Sequence, residues 1–276
     1  MRDISTIILG THIDSTIDTI YSTIELLPDN INAVQFFVDP SIDYHRYKDI
    51  KHIIAKKNIH AFIHSSYKIN IAKDWDESSW WVKYIIYEIK IAHLLGADGV
   101  IIHTGYKMSL DSAVALNNIY TLLMYIHNIT KKESDIKLLI ETPSGKGSEM
   151  LSNYDIFINF MTKFNNIDRI GICIDTCHIF SAGYDIRKPE ILKGMILKIK
   201  QDLGNKLGLI HLNDTKDDIG SKKDRHDSLG YGFIGRKGLK KIINIIKNED
   251  VPIILETPRL YHDDEIKWIR TIILTV

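Results

Sequence analysis

Short apolar runs alternate with longer stretches whose apolar positions recur every three or four residues, and this rhythm holds along the whole chain. Residues 6–10, 33–38, 59–64, 99–103, 137–141, 170–175, 207–212 and 252–256 read as strands. Between them, residues 17–27, 47–56, 77–95, 109–130, 154–164, 189–203, 238–247 and 263–274 read as helices. Ile17, Ile20, Tyr21, Ile24 and Leu27 share one face of the first helix, with Asp14 or Thr16 as its cap and Pro28 at its end. Gly96 stops the third helix, and Pro189 opens the one at 189–203. Strands this continuously apolar suit a parallel sheet buried on both faces. Eight strand–helix units over about 250 residues match a (β/α)8 TIM barrel, with its active site at the C-terminal ends of the strands. The expected fold is therefore α/β, one TIM-barrel domain over residues 1–276. The competing architecture, a doubly wound open sheet, would show a glycine-rich phosphate loop after the first strand.

Composition changes this picture little. Lys and Arg number 35, as do Asp and Glu, so the net charge neither demands nor excludes nucleic acid; only a local basic face could bind it. Cys173 and Cys177 are the only cysteines; the first reads as core and the second as a packed thiol. That suits a reducing, intracellular compartment, cytoplasm or nucleus, and argues against a disulfide scaffold. Asp3, Asp14 and Asp18 interrupt the first twenty residues, so no secretory signal is expected, and no apolar run is long enough to span a membrane.

The chemistry-bearing stretch is 224–235, where Asp224 and His226 precede three glycines in six residues. In extended chain, residues two apart project to the same side, so this pair could hold one cation together. The predicted strand ends carry His64, His103, Glu141, Asp175, His211 and Glu256, and His178 follows Asp175 by three. A closed barrel gathers these nine groups at one mouth. Each alone reads as an ordinary loop residue, and His12, His45, His52, His60, His93, His127 and His262 are left to that reading, His12 being the least secure because it follows the first strand and could line the mouth. Jointly, four carboxylates brought together need counter-charge. Three divalent cations would leave the cluster net positive, a site for an anion such as a phosphodiester. Histidine and carboxylate without thiolate suits Zn2+, with Mn2+ or Fe2+ compatible.

These motifs resemble the endonuclease IV family, the zinc-dependent apurinic/apyrimidinic endonucleases (AP endonuclease family 2). The matching stretches begin with His64-x-x-Tyr67 followed by 69–72, 102–105 and 139–143. They continue with 171–178, 211–214, the region of Asp224, and 255–257. The resemblance implies three zinc ions per chain, with His64 and His103 on one and Glu141 bridging to a second. Asp175, His211 and Glu256 complete the second, and His178, Asp224 and His226 hold the third. It implies hydrolysis of the phosphodiester 5′ to an abasic site in double-stranded DNA, leaving a 3′-hydroxyl and a 5′-deoxyribose phosphate. Glu141 and Glu256 are the catalytic carboxylates, Glu256 also orienting the attacking water, and a 3′-repair diesterase activity accompanies the first. Tyr67 matches a side chain that wedges into the duplex. Two departures stand out: Lys68 occupies an often apolar position, and the loop after the second strand lacks the usual arginine wedge, which leaves Arg46 as a substitute. Lys68, Lys73, Lys107, Lys146, Lys216, Lys222, Lys223, Arg225, Arg236 and Lys237 lie in loops at the same rim, where they would meet phosphates. Monomer is the default state.

Two other functions compete. A metal-dependent sugar isomerase or epimerase shares strand-end histidines and carboxylates, yet would leave the Asp224/His226 pair without a role. A DNA-binding module that has lost catalysis would keep acids that repel the phosphate.

Overall fold

Eight parallel strands close into a barrel in which every strand lies beside its neighbours in chain order. The computed structural model describes residues 7–13 and 16–275. The barrel strands are β1 (Leu9–His12), β2 (Ala33–Phe37), β3 (His60–His64), β4 (Gly99–Ile102), β5 (Lys137–Glu141), β6 (Ile170–Asp175), β7 (Leu207–His211) and β10 (Ile253–Leu255). The helices are α1 (Ile17–Glu25), α2 (Tyr47–Lys57), α3 (Trp80–Leu95), α4 (Ser112–Thr130) and α5 (Tyr154–Met161), then α6 (Thr176–Ser181), α7 (Pro189–Leu203), α8 (Gly235–Ile246) and α9 (His262–Leu274). No helix among the described residues is long and apolar enough to cross a membrane.

Each strand has two buried faces, which accounts for its unbroken apolar run. The outer faces pack on the helices in one large core, which includes Phe36, Ile63, Ile140 and Ile210. The inner faces form a second, closed cluster of Ala33, Phe62, Ile101, Leu139, Cys173, Leu209 and Ile254. This cluster plugs the barrel beneath the mouth. Gly208 makes room for it, since a Cβ there would come within 2.5 Å of Leu139 Cδ2.

Several boundaries differ from the expected ones, each for a local reason. The first strand, expected over 6–10, instead runs from Leu9 to His12, because its ladder pairs Leu9 with Ile253 and His12 with Gln35. Thr6 and the candidate cap Asp14 lie outside the described residues, and Thr16 occupies the N-cap of α1 without a side-chain cap bond. Helix α3 starts at Trp80 and not at 77, because the Asp76 carboxylate takes the N–H groups of Ser78 and Ser79 into a turn at 2.8 Å each. Asp111 caps α4 through Ala113 N–H, which places its start at Ser112. Two features have no counterpart in the sequence pattern: helix α6 directly after β6, and a two-residue hairpin of β8 (Asp214–Thr215) with β9 (His226–Asp227).

Candidate metal centre

All nine predicted ligands converge at the C-terminal mouth, where three groups can be drawn from them alone. His64, His103 and Glu141 form one, Glu141, Asp175, His211 and Glu256 a second, and His178, Asp224 and His226 a third. Within each group the ligand atoms lie within 4.8 Å of one another. Barrel register explains the convergence: Asp175 pairs with His211 across β6 and β7, and Phe37 with His64 across β2 and β3. Glu141 sits between two groups. Its Oε2 is 3.2 Å from His103 Nε2 and 3.5 Å from His64 Nε2, while its Oε1 is 2.9 Å from His211 Nδ1. In the third group Asp224 Oδ1 lies 3.0 Å from His178 Nε2 and 3.4 Å from His226 Nε2. Asp224 and His226, two apart in the chain, do face one centre.

The donor atoms fit cations better than they fit one another. His103 Nε2, Glu141 Oε2 and His178 Nε2 are buried and have no hydrogen-bond partner of acceptable geometry among the described residues. A buried polar atom left so is costly unless something else satisfies it. Burial pushes the His178 and His211 imidazoles down, yet the facing groups outweigh it and hold both well above the ordinary histidine value. Burial likewise opposes the charge on His226, and it is nonetheless raised to about 10. Burial resists the charge on Glu141 and Glu256, but His103 and His211 hold Glu141 well below its usual range, and His211 and His64 bring Glu256 to about 2. The raised imidazoles of His178, His211 and His226 thus supply counter-charge, the role a divalent cation would take over on binding, whereas burial lowers His103 and raises Asp175. Two further groups include a thiol: Cys173 lies within 4.8 Å of the Glu141 and His211 ligand atoms and Cys177 within 4.8 Å of those of Asp175 and His226; both cysteines are buried, and burial lifts the Cys173 thiol to about 12, far from a thiolate.

A second layer holds these groups still. Asn213, between β7 and β8, donates to Asp175 Oδ2 at 2.7 Å and Glu256 Oε2 at 3.2 Å, and its own oxygen takes Glu256 N–H at 2.8 Å. Asp175 caps α6 through His178 N–H at 2.8 Å, so one carboxylate orients two of the groups. Buried Glu88 receives Ser65 Oγ and Ser66 N–H, pinning the turn between His64 and Tyr67; burial raises its carboxyl to about 7 against those two bonds. Asp214 accepts from the N–H groups of Gly230, Gly232 and Ile234, which shapes the glycine-rich loop behind His226. A Cβ at Gly232 would come within 2.3 Å of Thr215 O. Sequence reasoning missed Glu88 and Gln35, named Asp214 without a role, and left His12 to an ordinary reading as its least secure case. In the structure His12 lies in the mouth, 3.0 Å from Gln35 and 3.9 Å from Glu256, its imidazole driven down to about 3 by burial. Gln35 carried a signal: it is the polar interruption in the apolar strand Ala33–Phe37.

Over the mouth sits Tyr67, 61% exposed, its ring centroid 5.1 Å from that of His64 and 5.5 Å from that of His103. Together with His103, Lys146, Asp224 and His226 it lines a cavity of about 400 Å3. A larger groove of about 770 Å3 continues past Tyr67 along Phe37, Lys68 and Trp80. Among the rim cations, Arg225 grips Asp217, with Nε 2.6 Å from Oδ2, and Lys223 joins it at 3.1 Å. Arg46 is paired with Asp18. Lys73 lies over Trp81 and Arg236 over Trp268.

The profile of a family described as a xylose isomerase-like TIM barrel matches residues 21–272. Probable endonuclease 4 of Mesomycoplasma hyopneumoniae (strain 7448) is 34% identical over 244 residues, covering 85% of this chain and 86% of that relative. The crystal structure of endonuclease IV from Thermus thermophilus is similar with a TM-score of 0.74 at 22% identity, over 96% of this chain and 97% of that one. A D-tagatose 3-epimerase-like protein reaches 0.75 at 18% identity over 97% of each chain. The last two are likenesses of fold, and a nuclease and an epimerase-like protein share them equally.

Proposed function

Because the chain belongs to the endonuclease IV family of xylose isomerase-like TIM barrels, we propose that it is a DNA base-excision repair endonuclease. It hydrolyses the phosphodiester 5′ to an abasic site, leaving a 3′-hydroxyl and a 5′-deoxyribose phosphate. The observation that carries this reading is the third group, His178, Asp224 and His226, built beside two others at one mouth. A sugar isomerase on the same barrel would leave that group idle.

Three zinc ions per chain fit the donor set, one per group, with Mn2+ or Fe2+ compatible. Bound there, divalent cations would polarise the phosphodiester and lower the cost of forming hydroxide at neutral pH. Glu256, ionised and fixed through both oxygens by Gln35 and Asn213, orients the attacking water. Glu141 directs one oxygen to each of two groups and sets their spacing. An abasic nucleotide lacks pairing and stacking, so its extrusion costs less than that of an intact one. The cavity roofed by Tyr67 takes the bare sugar-phosphate, and Lys146 at its edge and Lys68 in the adjoining groove meet flanking phosphates. Blocked 3′ ends would use the same site.

The test is a duplex carrying one stable abasic-site analogue, incubated with the purified protein with and without chelator. Cleavage that disappears on chelation and returns with zinc is the expected result. Tight binding without cleavage would point to a DNA-binding module, and neither binding nor cleavage to a sugar-metabolising enzyme. Glu256→Gln should abolish cutting while keeping most of the DNA affinity; unchanged cutting would remove Glu256 from the mechanism.

A further inference from the structure

We infer that Gln35 is the positioning residue of the group built from Glu141, Asp175, His211 and Glu256, and that it compels His211 to face that group through Nδ1. The inference rests on the metal-centre reading above and adds to it a residue outside the nine ligands. Gln35 is fully buried in β2. Its Nε2 lies 2.7 Å from Glu256 Oε1 and 3.0 Å from His12 Nδ1, and its Oε1 lies 2.8 Å from His211 Nε2.

The direction of these bonds is determined by chemistry. A carboxylate only accepts, so the amide nitrogen must face Glu256; the flipped amide would set oxygen against oxygen. The amide oxygen then faces His211 Nε2, which must carry hydrogen. The nitrogen left over, Nδ1, lies 2.9 Å from Glu141 Oε1, 3.2 Å from Glu256 Oε2 and 3.8 Å from Asp175 Oδ2. Three carboxylates thus converge on that one nitrogen.

Three other histidines of the mouth are oriented the opposite way. His64 Nδ1 bonds Ser65 O at 2.8 Å, His178 Nδ1 bonds Thr142 O at 3.0 Å, and His226 Nδ1 bonds Glu256 O at 3.3 Å. Each therefore presents Nε2 to its group. Their partners are backbone carbonyls, which no substitution removes. His211 is set by a side chain, and that same side chain also holds Glu256. A change at position 35 should therefore loosen one group and spare the other two.

Gln35→Met keeps the volume and removes the strong donor and acceptor. The zinc-loaded variant and wild type are titrated with a competing chelator while the zinc retained per chain is counted. One zinc of three should bind about 10–100-fold more weakly, in the range typical of lost outer-shell partners. The melting temperature of the metal-free protein should stay in place while the rise on adding zinc shrinks. Zinc held as tightly as in wild type overturns the inference. So does an equal loss at all three sites together with a lower metal-free melting temperature, which marks a merely structural role. Should the variant fail to fold, nitrogen NMR of the zinc-loaded wild type decides: His211 protonated at Nε2 and liganded at Nδ1 is expected, and the reverse tautomer refutes the inference. A wild-type protein that takes up no zinc sinks the metal-centre reading itself, before any variant is made.

Discussion

Strand β3 carries a histidine at each end, His60 and His64, with Ala61, Phe62 and Ile63 between them. By strand alternation His60, Phe62 and His64 lie on one side, one above another. Phe62 joins the closed cluster inside the barrel. His64 is buried above it, with Nε2 3.5 Å from Glu141 and 3.8 Å from Glu256. His60, at the lower end, keeps 40% of its side chain exposed and bonds Asp98 at 3.0 Å. Residue type and strand are the same, so the difference comes from the polarity of the barrel. Loops at the C-terminal ends bring further acids and imidazoles over the mouth, whereas at the N-terminal end His60 meets the Asp98 carboxylate among the described residues and is partly exposed to solvent. One strand therefore carries a site at its top, packing at its middle and an ordinary surface pair at its base.

The comparison can be sharpened at each level. At the top, His64→Ala should cost cleavage about 1000-fold or more, several kcal/mol of lost metal assistance, while His60→Ala leaves the rate within twofold. Equal rates in the two variants would break the contrast. In the middle, Phe62→Ala should destabilise the fold by about 3–5 kcal/mol in urea titration, with cleavage per folded molecule unchanged. A large loss of turnover at full folding would mean that the plug also shapes the mouth. Above the strand, Tyr67→Ala should weaken binding of abasic duplex about 10-fold, the scale of one lost stacking contact, with zinc content unaltered. A loss of zinc in that variant would make Tyr67 part of the metal centre instead of its cover.

Much of this is legible in the chain. Apolar runs of strand length separated by helical periods announce the barrel, and reading the strand ends names the groups that meet at its mouth. What stays hidden depends on partners far apart in sequence. Gln35 and Glu256 lie 221 residues apart, and only barrel closure brings them into contact. Asp214 reads as the polar end of a strand; its task, holding Gly230, Gly232 and Ile234, emerges only once the loop folds back on it. His12 is legible only as a residue following the first strand at the rim of the mouth; pairing with Gln35 of β2 carries the strand to it. The rim is legible only as charge: Arg225 and Arg46 can be counted as cations, but not seen to be occupied by Asp217 and Asp18.

The smallest expected effect lies at the base of β3, where the pair has a distinct pH signature. The hydrogen bond to Asp98 raises the His60 pKa above its ordinary 6.5, and partial burial pulls the other way. Folding therefore tightens the hold on this proton. The stabilisation is fully present below about pH 6.5, where His60 is charged in both folded and unfolded chains, and fades as pH rises through the folded value. Both side chains are more than a third exposed, so solvent screening keeps the contribution below about 1 kcal/mol. Asp98→Asn should accordingly lower stability slightly at pH 5.5 and leave it unchanged at pH 9, as read by chemical denaturation at the two values. Equal losses at both would show that Asp98 acts through its other contacts and not through the imidazolium. A change in zinc content at either pH would connect the two ends of the strand, contrary to their separation by the Phe62 layer.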